Sequence, residues 1–177
     1  EIVDTEVREA IIKAGSVLGE LGATVEEVSL PLMIHGGTIT GILINVESAM
    51  TYRDWIRDRL HDFGHSNQIG LLTGSIMPAQ AYYKAQKLRE LVRRQIHEAL
   101  ETYDVLILPP SKSCAPRLED DPVINSKEMA AAMTLVMTRP FNLANAPALS
   151  INCGFNSQGL PIGLQIGGRP FAEETVL

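Results

Sequence analysis

The sequence predicts an α/β fold in which long amphipathic helices cover a mixed β-sheet. Three observations lead to this prediction. Residues 78–103 have the apolar spacing of a long amphipathic helix. Short, almost wholly apolar segments follow it, as expected for strands that are buried on both faces. Near the amino end, a helical segment runs directly into an alternating segment, an order typical of layered α/β folds.

Composition and charge narrow the class of protein. The 177 residues are 45% apolar and 20% charged, which is ordinary for a globular domain. The formal net charge of −6 argues against nucleic-acid binding, because neutralising phosphates requires clustered cations. No apolar stretch is long enough to cross a membrane, and no signal peptide is visible. We therefore expect a cytoplasmic protein with reduced cysteines and no membrane partner.

The amino-terminal segment predicts a helix followed by a strand. Asp4 can cap the helix and Gly22 can end it. The apolar residues at helical spacing between them are Val7, Ile11, Ala14 and Leu18. Residues 23–30 then alternate between apolar and polar side chains and stop before Pro31, which predicts a strand near a sheet edge.

Two longer helices are predicted in the middle of the chain. Gly36-Gly37 precedes the first, at residues 38–60, and the polar, glycine-rich residues 61–74 predict a loop or a short helix. Pro78 can occupy the first turn of the second helix, which extends to about Tyr103. Its predicted apolar face comprises Ala81, Ala85, Leu88, Leu91, Val92, Ile96 and Leu100.

The carboxyl-terminal part predicts three strands, at residues 104–108, 148–152 and 160–167. They are separated by a loop at 111–122, a helix from about Ser126 that breaks at Arg139-Pro140, and a turn at 154–159. The first two strands are continuous apolar segments, so both are predicted to be buried on both faces. Residues 171–177 predict a helix that is just starting. Because the sequence also lacks an initiator Met, we expect a piece of a longer protein.

Three groups of reactive side chains have simpler structural interpretations. His61 and His65 have the spacing of helical metal ligands, but two ligands are too few and Gly64 weakens the helix, which favours solvated surface histidines. Cys153 follows a strand, where a nucleophile could stand, yet a small packed residue is the simpler interpretation. The same holds for Cys114 in its loop.

The long helix also carries a set of cations: Lys84, Lys87, Arg89, Arg93 and Arg94. They could bind an anionic partner, but interleaved glutamates favour a solvated face with intrahelical ion pairs. The sequence contains no phosphate-binding glycine loop, HExxH or GxSxG, and no pair of carboxylates stands out for acid–base catalysis. The residues alone therefore predict no cofactor, no metal ion and no self-contained catalytic group.

Three segments resemble the amidase signature family. Residues 103–110 resemble its "YDVLLxPT" strand, residues 139–150 its "PxNLAGxPAxS" segment, and residues 153–171 its "CGxxxxGLPxGLQxxGRPF" segment. The helix–strand unit at residues 22–31 also fits, and Ala81, Ala85 and Arg89 lie in a helix like the family's tyrosine- and arginine-bearing one. The match covers nearly the whole chain, and its last two segments are specific.

The resemblance implies that residues 1–177 are the carboxyl-terminal part of an amidase signature domain, incomplete at both ends. Such enzymes use a serine nucleophile, a second serine in a cis peptide bond and a lysine base, all in the amino-terminal half, and none of them is in this chain. The chain would supply scaffold and part of a pocket. Its expected partners are the missing amino-terminal half, a small-molecule amide and, as a further option, a second copy in a homodimer. An incomplete domain should also expose apolar sheet surface.

The resemblance further implies where the pocket lies. The predicted walls are the helix around residues 46–55, the loop after Pro110 and residues 137–139, so the candidate pocket residues are Ser111, Met137, Thr138 and Arg139. Arg139 could bind a carboxylate on the substrate or form a structural ion pair, and both interpretations stay open.

Three functions fit the resemblance: an amidase, a non-catalytic binding module of the same fold, and the amidase-type component of a glutamine-dependent tRNA amidotransferase. The last carries an acidic residue shortly before its "NLAG" segment, whereas residues 130–137 contain none. Asn145 also replaces the usual glycine of that segment. Both departures favour a general amidase.

Overall fold

The computed structural model describes residues 3–116 and 137–177. The α-helices in these ranges are α1 (Thr5–Glu20), α2 (Gly36–Thr51), α3 (Arg53–Asp58), α4 (His65–Ile76), α5 (Ala79–Thr102), α6 (Arg139–Ala144) and α7 (Glu173–Val176). Short 3₁₀ helices occupy Pro31–His35 and Leu60–Asp62. The strands are β1 (Val105–Leu108), β2 (Ala148–Phe155) and β3 (Pro161–Gly168).

The three strands form one sheet in the order β1-β3-β2, with antiparallel pairing throughout. In the register, Gln165 of β3 lies between Leu108 of β1 and Ser150 of β2. The register shifts between Asn152 and Gly154, so Cys153 occupies a β-bulge. The α/β class with covering helices is confirmed, but the sheet predicted to be mixed is antiparallel in the described residues, with β3 as its central strand.

Helices cover both faces of this sheet. On one face, Gly167 lies under Phe141 of α6 so closely that a Cβ would collide with the ring. On the other face, a Cβ at Gly15 of α1 would lie 3.9 Å from the Ile107 side chain, and α7 places Val176 against Gly168. The sheet is therefore a middle layer, with α6 and the helices behind it on one side and α1 and α7 on the other.

The main core lies on the α6 side and depends on α5. Its buried apolar side chains are Ile39, Leu43, Ala85, Val92, Ile96, Leu100, Leu106, Phe141, Leu143 and Ala144. The four from α5 lie on its predicted apolar face, whereas Leu88 and Leu91 are 37% and 43% exposed. Burial of a side chain such as Ile96 stabilises the fold by roughly 1.5–3 kcal/mol. The core therefore confirms the predicted helix, but the buried face of α5 is narrower than its predicted apolar face.

Of the loop and the short helix predicted for residues 61–74, the structure has a helix, and its glycines permit a close helix crossing. Most of this segment is helix α4, which packs against α2 at Asn45. A Cβ at Gly70 would lie 2.9 Å from Asn45 Oδ1, and one at Gly74 would collide with the Asn45 carbonyl. Hydrogen in place of a side chain thus sets how closely the two helices approach, which a loop interpretation misses.

Three other boundaries differ from the sequence prediction. The predicted helix at 38–60 divides at Tyr52, where the chain bends and gathers the rings of Tyr52, Trp55 and Phe63 at centroid distances of 5.5–6.2 Å. The predicted strand at 23–30 makes no ladder within the described residues. Arg139-Pro140 starts a helix, because proline's fixed φ suits a first turn. The helix predicted from Ser126 up to that point lies outside the described residues.

The predicted burial of two strands was wrong. Leu106 is the only fully buried residue of β1, and most of β2 is exposed, with Ile151 at 45% and Phe155 at 67%. The reason is positional, because β1 and β2 are the two edges of the described sheet and only β3 has a neighbour on each side. Exposed apolar residues on β2 agree with the expectation of an uncovered sheet surface.

The predicted turn between the last two strands is shorter than expected. Strand β2 continues to Phe155, and the chain reverses at residues 156–159, where Gly159 has φ +77°. Residues 171–177 do contain a short helix, α7, as predicted. In the part of the chain that the structure describes, no helix has the length and apolarity needed to span a membrane.

Candidate functional site

Two segments far apart in sequence meet at the end of the sheet. The Met137 N–H donates to the Pro110 carbonyl at 2.8 Å, which places residues 137–139 beside the loop that contains Ser111. Ser111, Met137, Thr138 and Arg139 are all half-buried. The structure thus brings together two of the three predicted wall segments at this contact, which we call the Pro110–Met137 junction.

The third predicted wall, at residues 46–55, begins further along α2. Arg139 Nη1 donates to the Gly37 carbonyl at 3.0 Å, so the junction meets α2 at its amino-terminal end. At a rise of 1.5 Å per residue, Val46 lies about 13 Å along the helix from Gly37. A role for that segment in the same pocket stays a prediction.

Arg139 is held in a partly desolvated position. Burial lowers its pKa, although an arginine starts so high that it keeps its charge at neutral pH. Its bond to Gly37 ties the amino end of α6 to α2. One structural role of Arg139 is therefore visible, and its contact with a substrate stays a prediction.

The other end of α6 is fixed by α5. Arg89 donates from Nε to the Leu143 carbonyl at 3.2 Å and from Nη2 to Asn145 Oδ1 at 2.9 Å. His97 Nε2 lies 2.9 Å from the Ala144 carbonyl, and because a carbonyl only accepts, Nε2 carries the proton. These donors satisfy carbonyls that a helix end leaves unpaired. The prediction that Arg89 belongs to the solvated cations of α5 was therefore wrong.

Asn145 ends α6 in a left-handed conformation, with φ 54° and ψ 42°. Glycine is the usual residue at such a position, and asparagine is among the few others that adopt it readily. The replacement of the family's glycine therefore keeps the backbone conformation, while its side chain adds the acceptor that Arg89 uses.

The solvated interpretation holds for the other cations of α5, all of which are exposed. Lys87 Nζ lies 4.6 Å from the centre of the Tyr83 ring, and Arg93 pairs with Glu90 at 3.5 Å. Contacts of this kind are typical of an exposed helix face and contribute little stability.

Gln165 is a site residue that sequence analysis did not predict. Its side chain is 4% exposed, and within the described residues its Oε1 is buried without a hydrogen-bond partner. Pro110 packs over the adjacent Gly163 on the same face, where a Cβ would lie 2.7 Å from the proline Cγ. Gln165 thus lies next to the Pro110–Met137 junction. The sequence signal that could have identified Gln165 was a single polar residue within a strand that is otherwise mostly buried.

The reactive side chains do not form a separate catalytic group. Cys153 donates from Sγ to the Ile162 carbonyl at 3.4 Å, and burial raises its pKa. Burial also raises the pKa of Cys114, with smaller contributions from the nearby Glu6 and Asp4 charges. Both thiols therefore stay protonated at neutral pH, which favours the packed interpretation over a nucleophilic one.

The two histidines with metal-ligand spacing lie on different helices. His61 belongs to a 3₁₀ helix and its Nε2 is 3.2 Å from Asp62 Oδ1, whereas His65 begins α4. Gly64 separates the two helices, so the helical spacing inferred from sequence does not apply. Across residues 3–116 and 137–177, no three His, Cys, Asp or Glu side chains gather as a set of metal ligands.

Comparison with known proteins gives a match over the full chain. The family model described as Amidase matches residues 1–177. The chain is 34% identical to the A-type subunit of the glutamyl-tRNA(Gln) amidotransferase of Geobacillus thermodenitrificans, covering 99% of the chain and 40% of that protein. It is 36% identical to the chloroplastic/mitochondrial form of the same subunit from Oryza sativa subsp. indica, covering 100% and 37%. The chain therefore spans about two fifths of the length of these relatives.

Solved structures show the same fold. A crystal structure described as an amidase superposes with a TM-score of 0.83 at 28% identity, covering 98% of this chain and 40% of its own. The corresponding glutamyl-tRNA(Gln) amidotransferase subunit of Thermotoga maritima superposes with a TM-score of 0.74 at 26% identity, covering 99% and 38%. A bacterial aryl acylamidase shares the fold with a TM-score of 0.80 at 20% identity.

Proposed function

The chain belongs to the amidase family along its whole length, and from that premise we propose that it is the carboxyl-terminal part of an enzyme that hydrolyses a carboxylic amide to an acid and ammonia or an amine. One observation carries the proposal: the family match extends over residues 1–177, although the chain spans only about 40% of its relatives. The remainder of such an enzyme would carry the catalytic serines and the lysine.

The described residues give this chain a supporting role in that reaction. The serine would attack the amide carbonyl, with its proton passing to the lysine through the second serine, and backbone donors would hold the oxyanion. The Pro110–Met137 junction would form a wall beside the acyl group. Helix α6, fixed at both ends by Arg139 and Arg89, would keep that wall rigid. The charge on Arg139 would favour substrates with a carboxylate or another electron-rich group near the amide.

The second candidate function is the amidase-type component of a glutamine-dependent tRNA amidotransferase. The names of several relatives favour it, since proteins 32–36% identical to this chain carry that description. The missing acidic residue in 130–137 opposes it. The other departure, Asn145, weighs less than the sequence indicates because the left-handed backbone is kept. We rank the general amidase first and the non-catalytic binding module last.

The expected partners follow from the proposal. The amino-terminal part of the same protein would cover β2, a small amide would enter at the junction, and a homodimer and a cytoplasmic location complete the hypothesis. No cofactor is expected for this reaction.

The test compares two purified proteins: the complete gene product that contains these residues, and the 177-residue chain. Release of ammonia or amine is measured with a panel of simple amides, without ATP or tRNA. The complete product should hydrolyse at least one amide and the 177-residue chain none. Turnover by the short chain alone would overturn the division of roles. Activity of the complete product only with ATP, charged tRNA and partner subunits would favour the second candidate.

A further inference from the structure

A buried amide at the centre of the sheet has no partner in the described part of the chain. Gln165 is 4% exposed, and its Oε1 accepts no hydrogen bond within residues 3–116 and 137–177. An acceptor removed from water without a replacement donor destabilises the folded state. Such a group therefore indicates a contact that the described residues do not complete.

The immediate neighbours of Gln165 include one side-chain donor, Ser150, which makes no hydrogen bond to Gln165 Oε1. Along the strand, the flanking positions on the same face are Gly163 under Pro110 and Gly167 under Phe141, so apolar rings lie on both sides. Across the strands, the neighbours on the same face are Leu108 and Ser150. Ser150 is the only polar side chain among these four neighbours.

Thr40 provides an instructive contrast. Its Oγ1 is also buried without a partner in the described residues. A threonine within a helix can turn its hydroxyl toward the carbonyl four residues earlier, so this deficit can be corrected locally. Gln165 is on a strand whose backbone groups already pair on both sides, and it has no such option.

The exposed residues nearest to Gln165 on its face of the sheet lie on β2. That strand is an edge of the described sheet, and Ser150 and Asn152, which share the face of Gln165, are exposed. The chain spans about 40% of its relatives, so a protein of their size has a further part able to cover this edge. An amide group both donates and accepts, which makes it complementary to a peptide group of a neighbouring segment.

We propose that the Gln165 side chain is a positioning residue that hydrogen-bonds a main-chain peptide group of the amino-terminal part of the enzyme across β2, next to the Pro110–Met137 junction. The inference rests on the proposed function. Rotation about the terminal side-chain bond can turn either end of the amide toward that segment. A permanent neighbour fits better than a substrate, because a substrate must enter and leave at every turnover and Gln165 is enclosed.

The experiment uses the complete enzyme with Gln165→Met, which keeps length and removes both polar atoms. We expect kcat to fall at least tenfold while KM stays within about twofold, because the contact aligns the catalytic part rather than binding substrate. The matched control is Gln95→Met. Gln95 Oε1 accepts the Leu32 N–H at 3.0 Å, a bond that involves none of the junction residues, so this variant should lose stability and keep kcat.

A measurement on the unmodified enzyme covers the case in which Gln165→Met does not fold. If the amino-terminal part covers β2, hydrogen exchange at the amides of Ser150 and Asn152 should be at least a hundredfold slower than in an unstructured peptide. Rapid exchange there would overturn the proposal. So would an unchanged kcat in Gln165→Met, which would make the amide a mere space-filling group, or a raised KM with unchanged kcat, which would make it a substrate contact. If the wild-type enzyme hydrolyses no amide, the proposed function fails, and rapid exchange at Ser150 and Asn152 would still overturn the contact separately.

Discussion

The carboxyl end of α6 and the middle of β2 differ in how far the described chain satisfies and covers their side chains and carbonyls. At the end of α6, the carbonyls of Leu143 and Ala144 and the side chain of Asn145 all receive hydrogen bonds from α5. Around β2, polar and apolar side chains are exposed, and the neighbouring Gln165 lacks a donor in the described residues. The difference teaches that, on the helical side, the end of α6 is satisfied by donors from this chain, whereas the β2 side, an edge of the described sheet, leaves polar and apolar side chains exposed.

The largest expected effect concerns the close packing of helices α2 and α4. Gly74→Ala places a Cβ into the Asn45 carbonyl at the crossing of α2 and α4, so the helices must separate. We expect a loss of about 3 kcal/mol in the free energy of unfolding, measured by urea denaturation with circular dichroism.

The matched control for Gly74 is Gly41→Ala in α2. A Cβ at Gly41 meets nothing within 4 Å, and the residue is helical. Alanine should therefore stabilise the protein by roughly 0.5–1 kcal/mol through its higher helix propensity. Equal destabilisation by both variants would contradict the idea that Gly74 is required by the close crossing.

A smaller effect tests the hydrogen bonds that complete α6. Arg89→Met keeps an apolar stem but removes the donors to Leu143 and Asn145, and we expect a loss of about 1–2 kcal/mol in the same denaturation measurement. Arg93→Met is the control on the same helix. Because Arg93 makes an exposed ion pair with Glu90, its loss should change stability by less than about 0.5 kcal/mol. If the two variants had the same effect, α6 would not depend on Arg89.

The parts of the fold that are predictable from sequence depend on local repetition. The apolar spacing of residues 78–103 identifies α5, and apolar spacing followed by Gly22 identifies α1, since both signals are local to one helix. Asp4 stands at the amino-terminal cap of α1 but makes no side-chain capping hydrogen bond. Gly70 and Gly74 instead leave a loop and a short helix both open, because these glycines are required by contact with Asn45, more than twenty residues away. A local sequence pattern does not predict such a long-range contact.

The candidate site shows the same limit. Residues 137–139 and the loop after Pro110 are indicated by a family resemblance, and their meeting depends on one backbone hydrogen bond between distant segments. The apolar run of the second strand predicts burial, but the described chain leaves β2 at an edge. An apolar run does not by itself distinguish a central strand from an edge strand, so the exposure of β2 could not be predicted from the sequence.

The smallest expected effect concerns the thiol in the β2 bulge. Burial raises the pKa of Cys153, and the thiol donates to the Ile162 carbonyl, so the folded protein favours the protonated form. In a Cys114→Ser background, alkylation by iodoacetamide should be slower than that of an unfolded control at every pH from about 7 to 9, because only the thiolate reacts.

The raised pKa of Cys153 also makes the stability of the folded protein depend on pH. A raised folded pKa gives stability that is complete below the unfolded pKa, near about 8.5, and is lost as pH rises through the folded pKa. If a further segment covers β2 in the complete enzyme, alkylation should be slower still at equal pH. Equal rates in the 177-residue chain and the complete enzyme would show that this part of β2 is as open in the enzyme as in the chain, and would restrict the covered surface to the Ser150 end.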